Sequence, residues 1–422
     1  MKALSFWGHM KKISTSIVAL LMIFNAYAEQ KTLTVAAYPS VDEIIKTALV
    51  EWKKQHPDVE IKVVGREYAD HHTAMTTALA TATSLPDVMT IEYGYLGRFA
   101  QSGALEDLNQ PPYRASDLTQ KIVPFAVAQA RTQAFGQVAM PTDIGPGAMF
   151  YRNDLAQKAK VKDSELTESW DSFIESGKKI KSATGAYLVA HARDVKDIVI
   201  RTAIPANEGV YFDAQGQSVV GSSPRFKKAF ELAKKIRSEG LDAKINAWSG
   251  EWGESLKRGN VSVQMMGAWL GGHLSNWLAP NTAGLWRSTV LPERAATSWG
   301  GTFYAIPKKA ENKELAWDLI SYLTLNRKQQ QIAFEKFNAF PALLEAQSGP
   351  FFEQPVPFLG GQKARLEWKS TAAQIKPTRV FKHDTIAEEI VNAELDLVLL
   401  KGKPVEKALK DAHEQIQRRA RR

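Results

Sequence analysis

The residues best suited to chemistry in this chain are aromatic. Six of its eleven tryptophans fall between Trp248 and Trp299, a density that core packing alone does not demand. An indole offers a large, flat, apolar face with few rotamers to freeze. That face suits the apolar side of a sugar-like ring, whose hydroxyl rim needs hydrogen-bonding groups around it. Trp269 leads the candidates: it follows an apolar strand-like run and sits in GAWLGG, where glycines let a ligand approach the backbone. Trp299 comes next, immediately before Gly300-Gly301, and Gly301 joins it. Trp52, Trp170 and Trp317 lie on amphipathic helical patterns and belong to the core. Trp248 and Trp252 stand between core and site, and Trp252 is carried forward as a candidate.

Acceptors for hydroxyls come from acids near predicted strand ends. Asp143 lies in a Pro-x-Asp-x-Gly-Pro stretch, where its carboxylate can take two charge-assisted hydrogen bonds or cap its own turn. Glu92 and Tyr93 follow the third predicted strand; Tyr38 follows the first and Glu67 the second. His71-His72 invites a metal reading, but adjacent helical residues point in different directions, so a solvated helix start is expected. Arg193-Asp194 reads as an ion pair within a loop. No Gly-x-Ser-x-Gly elbow, His-Glu-x-x-His, Walker loop or dinucleotide glycine fingerprint occurs. Catalytic residues, metal ligands and cofactors are therefore not expected. Asp143 with Glu92 is the one carboxylate pair that can imitate a glycoside hydrolase.

The elements that must position these residues alternate in type. TLTVAA (Thr32–Ala37) is β-prone, and a helical pattern follows with Ile44, Ile45, Ala48, Leu49 and Trp52 on one face. IKVVGREY, an Ala/Thr helix from His71 to about Ala82, and DVMTIE continue the series. Strand–helix–strand order implies parallel pairing with helices on both faces, and ligands then sit beyond the carboxyl ends of the strands. QVAMP and AMFYRND flank a turn-rich TDIGPG. A second alternating series follows, with strands at AYLVAH, Val261–Met266 and Thr302–Pro307. Helices are expected at Lys313–Thr324, Arg327–Asn338, Thr385–Leu400 and Pro404–Arg418.

Length and charge narrow the class. A chain of 422 residues suits two lobes. It has no cysteine, which removes disulfides, thiolate metal sites and cysteine nucleophiles together. Residues 1–28 read as an export signal: Lys11-Lys12, an apolar Ile17–Phe24, and Ala26-Tyr27-Ala28 before cleavage. Met10 opens a more typical signal (MKKISTS), which makes the first nine residues an upstream start or an extended basic region. The formal charge of +9 becomes +6 without the three signal lysines. The Arg418–Arg422 tail carries four more of those charges, and a solvated, frayed end is its expected role. The body is close to neutral, so nucleic acid is not an expected partner.

Several blocks now add up in order. LPDVMTIEYGYLGRFAQSGALEDL, VAMPTDIGPGAMFYRNDLAQKA, Ser169-Trp170-Asp171, GESLKRGNVSVQMMGAWLGGHL and SWGGTFYAIPKKAENKELAWDLISYLT resemble, in sequence order, the extracellular solute-binding proteins that feed sugar importers of the ATP-binding-cassette type. Asn338–Ala342 and the closing Pro404–Ile416 helix also fit, so the likeness spans residues 32 to about 416. Gly94-Tyr95 stands where maltodextrin-binding members carry a charged pair, which argues against maltodextrin. The resemblance implies an α/β periplasmic-binding-protein type II fold: two α/β lobes joined by crossing hinge strands, with the ligand cleft between them. Lobe 1 would comprise 29–146 and 301–341, and lobe 2 would comprise 147–300 and 342–422. It further implies a periplasmic monomer that captures a mono- or oligosaccharide and delivers it to permease subunits in the inner membrane. A polyamine, a phosphate ester or another polyol is the alternative ligand, and a secreted carbohydrate-active enzyme the alternative activity.

Overall fold

Eight strands form in chain order in the computed structural model: β1 (Lys31–Ala37), β2 (Val59–Gly65), β3 (Val88–Glu92), β4 (Met140–Arg152), β5 (Tyr187–Val189), β6 (Val261–Gly267), β7 (Trp286–Thr289) and β8 (Ser298–Ala305). The structure describes residues 31–420 apart from 133 and 135; the export signal read from the sequence and the last two arginines lie outside them. β1 pairs in parallel with both β2 and β3. The connecting helices are α1 (Val41–Trp52) and α2 (Tyr68–Thr81). α1 forms because Val41, Ile44, Ile45, Ala48, Leu49 and Trp52 recur at helical spacing and are all buried.

The strand order is β2-β1-β3-β8-β4-β6-β5, with β7 also on β4. β8 runs antiparallel to β3 and to β4, so the sheet as a whole is mixed, while its first three strands pair in parallel as their strand–helix alternation predicts. β4 corrects an expectation. The TDIGPG segment is not a turn between two strands; it is the middle of a single 13-residue strand. Its first half pairs with β8 from Met140↔Tyr304 to Pro146↔Ser298. Its second half pairs with β6 and β7. Register shifts between Pro141 and Asp143 and between Ile144 and Pro146 absorb the proline and glycine. β4 therefore passes from one lobe to the other, and β8 returns beside it. Phe340–Ala342 makes the third crossing, through Ile144 N–H to the Phe340 carbonyl at 2.9 Å and Ala342 N–H to the Thr142 carbonyl at 3.1 Å. Beyond it, Phe352 still packs on Phe334 and Phe340, with ring centroids 5.3 and 5.8 Å apart.

The core follows the crossing strand. One buried cluster runs from Leu33 and Val35 through Met140, Ile144, Ala148 and Phe150 to Trp252 and Trp286. A second fills the lobe built on β5 and β6, and a third packs Met75, Met89, Ile91 and Phe99 against Phe303. β6 is buried at all seven positions because helices cover both faces. The C-terminal helix continues to Ala420 rather than fraying at Arg418. Among the described residues no helix is long and apolar enough to cross a membrane.

Candidate functional site

A cavity of about 280 Å³ opens between the lobes, beyond the end of β3. Glu92, the last residue of β3, caps the helix α3 (Tyr93–Ala100). Its Oε2 accepts the Gly94 N–H and the Tyr68 hydroxyl, both at 2.7 Å. Burial pushes the Glu92 carboxyl up to about 7, although these two donors favour the charged form. Tyr68, Tyr93 and Tyr95 complete this wall, and burial raises all three phenols above their ordinary value.

Lobe 2 supplies the opposing groups. Arg201 follows the helix Ala192–Ile200 and lays its guanidinium over Trp299, 4.7 Å from the ring centroid. It pairs with Asp197 at 3.4 Å and with Glu388 at 3.5 Å. Asp384 opens the helix Asp384–Lys401. Its Oδ2 accepts the Phe381 N–H at 2.7 Å, whereas Oδ1 is buried without a partner among the described residues. Burial lifts this carboxyl to about 7. The Tyr211 hydroxyl, also on the cavity wall, is likewise buried and unpartnered among the described residues. Buried polar atoms left without partners are costly. The Thr385 hydroxyl donates to the Gly94 carbonyl at 3.2 Å, which ties the two walls together on one side.

The remaining wall is the β8 crossing. Trp299 and Gly300 line the cavity, and the Trp269 indole N–H donates to the Trp299 carbonyl at 2.8 Å. Gly300 and Gly301 take φ of +83° and +136°, conformations open to glycine and rarely to other residues. A Cβ on Gly300 would lie 3.1 Å from Trp269 Nε1 and 3.7 Å from Glu92 Oε1, so indole edge and carboxyl meet at this peptide.

Of the residues singled out from sequence, Trp299, Glu92 and Tyr93 line the cavity. Trp269 and Gly301 flank it along the crossing. Tyr38 and Asp143 stand behind it in a relay: the Tyr38 hydroxyl meets Thr302 Oγ1 at 2.8 Å, and Asp143 accepts both the Thr302 N–H and, at 3.2 Å, its hydroxyl. Both Asp143 oxygens are thus engaged within the crossing, and burial raises the carboxyl to about 6. Glu67 is exposed at the start of α2, away from the cavity lining.

Three expectations are corrected. Trp252 is fully buried and gives its indole N–H to Gln264 at 2.9 Å, so it is core and presents no face to a ligand. His71 and His72 are also fully buried, because the first turn of α2 is wedged between β3 and a cluster of tyrosines. His72 Nδ1 donates to the Tyr68 carbonyl at 2.8 Å and Nε2 accepts the Glu92 N–H at 3.1 Å. Burial lowers its pKa to about 3. Arg193 does not pair with Asp194. It reaches Asp396 at 2.8 Å, and Asp194 takes the Gln264 amide at 3.2 Å. Tyr68, which follows the second predicted strand, lines the cavity as the strand-end rule expects, whereas Arg201, Tyr211 and Asp384 were not singled out from sequence: each sits on an element with no local motif, brought to the cavity by the fold alone. Among the described residues no group of three or more His, Asp or Glu is placed to hold a metal ion.

Known proteins share this architecture. The model of the bacterial extracellular solute-binding protein family matches residues 33–330. The lactose-binding protein of Rhizobium radiobacter is 26% identical over 426 residues, covering 96% of this chain and 97% of its own. The arabinooligosaccharide-binding protein of Halalkalibacterium halodurans is 23% identical over 329 residues, covering 74% and 71%. A solved structure described as an extracellular solute-binding protein of family 1 superposes with a TM-score of 0.80 at 22% identity, over 92% of this chain and 99% of that one.

Proposed function

We propose that this chain, which belongs to the bacterial extracellular solute-binding protein family, closes its lobes on a mono- or oligosaccharide and presents it to an ATP-binding-cassette permease. The observation that carries the reading is the cavity: an indole wall at Trp299, phenols from both lobes, and two unpartnered polar atoms, Asp384 Oδ1 and the Tyr211 hydroxyl. Its charge balance favours a neutral ligand. Arg201 is matched by Glu388, and Glu92 and Asp384 are both raised to about 7 by burial. A polyamine would need carboxylates held ionised, and a phosphate ester would need cations not already paired. The relatives named above, which bind lactose and an arabinooligosaccharide, support the same class.

The protein acts by binding without turnover, as an exported periplasmic monomer released from the signal in residues 1–28. Ligand bridging the lobes would favour the closed form by its differential affinity, and only that form would dock on the permease. Isothermal titration of the chain from residue 29 against mono-, di- and oligosaccharides tests this. One sugar should give saturable heat that Trp299→Ala weakens by about tenfold or more. Silence across the panel would sink the reading, and release of product from any bound glycan would replace it with an enzyme.

A further inference from the structure

The cavity carries more acid than base. Glu92 lines it from one lobe, Asp384 and Glu388 line it from the other, and Arg201 is the one cation among the described residues of its wall. Arg201 is shared as well: Glu388 reaches it at 3.5 Å and Asp197 at 3.4 Å, and Asp197 also pairs with the fully buried Lys196. Three carboxyls therefore face one guanidinium that is already engaged. Apart, the two walls could hydrate their acids separately. Together they enclose about 280 Å³, where each ion loses water and like charges repel more strongly.

The neighbours of the two outer carboxyls are specific. Glu92 accepts the Tyr68 hydroxyl from α2 and the Gly94 N–H from α3, both at 2.7 Å. The His72 ring takes its backbone N–H and is kept neutral by burial. Across the cavity Glu388 opposes a charge on Glu92 and Arg201 favours it. Asp384 accepts the Phe381 N–H at 2.7 Å and is favoured in charged form by Arg201; Glu388, one turn further along the same helix, opposes it. The phenols around both acids, Tyr38, Tyr93, Tyr95 and Tyr211, are held protonated by burial. Lys382 and His383 precede Asp384 in the chain but do not line the cavity. Lost hydration outweighs the favourable contacts at both sites, and each carboxyl is lifted to about 7.

We infer that closure of the cleft on its ligand is coupled to proton uptake by Glu92 and Asp384, so that the protein holds its ligand more tightly in acid than in weakly alkaline surroundings. The inference rests on the sugar reading above and adds to it a dependence on proton concentration. A neutral sugar has no titrating group, so that dependence belongs to the protein. In the open form the two acids, hydrated, would titrate near their ordinary 4.5 and 3.8. As pH falls, the closed form therefore takes up its protons first, and affinity is lost as pH rises through about 7. Each carboxyl contributes about tenfold between pH 6 and pH 8. Both titrate against the same Glu388 and Arg201, so the pair acts together and the total lies between roughly tenfold and a hundredfold.

The test is calorimetric titration of the chain from residue 29 with lactose, maltose and arabinose oligosaccharides at pH 6, 7 and 8, in two buffers that differ in heat of ionisation. At pH 6 the heat difference between buffers should report uptake of about one to two protons per sugar bound, and affinity should fall about tenfold or more from pH 6 to pH 8. Glu92→Gln and Asp384→Asn, neutral at every pH, should each lower the uptake and flatten the fall. The double variant should bind equally at pH 6 and pH 8, whereas a merely structural loss would weaken binding by the same factor throughout. Heat that is independent of the buffer, or a pH profile that survives in the double variant, overturns the coupling and leaves the sugar reading intact. If none of these sugars binds, that reading fails, and small-angle scattering of the free chain at pH 5.5 and pH 8 decides the coupling by itself. A radius of gyration that shrinks in acid supports it, and an unchanged one overturns it.

Discussion

Glu92→Gln should make the fold more stable at alkaline pH and leave it nearly unchanged at acid pH. Burial raises the folded pKa of Glu92 from an ordinary 4.5 to about 7. As pH rises, the unfolded chain therefore gives up its proton first, and stability falls through the window between those values. Below about 4.5 both states are protonated and above about 7 both are ionised, so the difference levels off on either side. At ~1.36 kcal/mol per pH unit the full step corresponds to about 3 kcal/mol, and partial solvent contact brings the expected figure to roughly 2–3 kcal/mol. The amide is neutral throughout, and its oxygen keeps the Gly94 N–H bond that caps α3. Urea denaturation of wild type and variant at pH 4, 6 and 8 gives the difference directly, since every other titrating group is shared. The variant should gain about 2–3 kcal/mol on wild type between pH 4 and pH 8. A pH-independent difference would refute the argument that burial holds this carboxyl neutral.

Two other substitutions separate frame from site. Trp252→Ala removes a fully buried indole, strands the Gln264 side-chain carbonyl and takes away a ring that packs 5.0 Å from Trp248; denaturant unfolding should show a loss of about 3–5 kcal/mol, with affinity for a sugar held by the cavity alone within a few-fold of wild type in the remaining folded protein. Gly145→Ala places a Cβ 1.8 Å from the Trp299 carbonyl oxygen. Thermal unfolding should show a lowered Tm, and titration should show weakened binding, because only displacement of the crossing relieves that overlap.

The parts of the fold legible in the sequence were those fixed by local periodicity. The buried stripe Ile44, Ile45, Ala48, Leu49, Trp52 and the β-prone runs at Thr32 and Val88 needed no tertiary information. Proline and glycine in TDIGPG read as a turn because nothing local reveals that two bulges let β4 run straight through. Trp252 was misjudged although Trp252, Ser255 and Leu256 lie at helical spacing and are all buried; the abundance of nearby tryptophans obscured an ordinary core stripe. The lobe 2 side of the cavity was invisible for a different reason. Arg201 and Asp384 are 183 positions apart and meet only when the C-terminal helices fold back. His71 and His72 show the limit of single-helix geometry: rings that diverge from one helix are both buried when neighbours press on two sides of it.

The paired left-handed glycines at 300–301 directly follow the carbonyl that anchors the Trp269 indole. Were lobe motion taken up at these two glycines, the Trp269 indole would travel with the Trp299 peptide that anchors it, so opening the molecule would also tilt that ring.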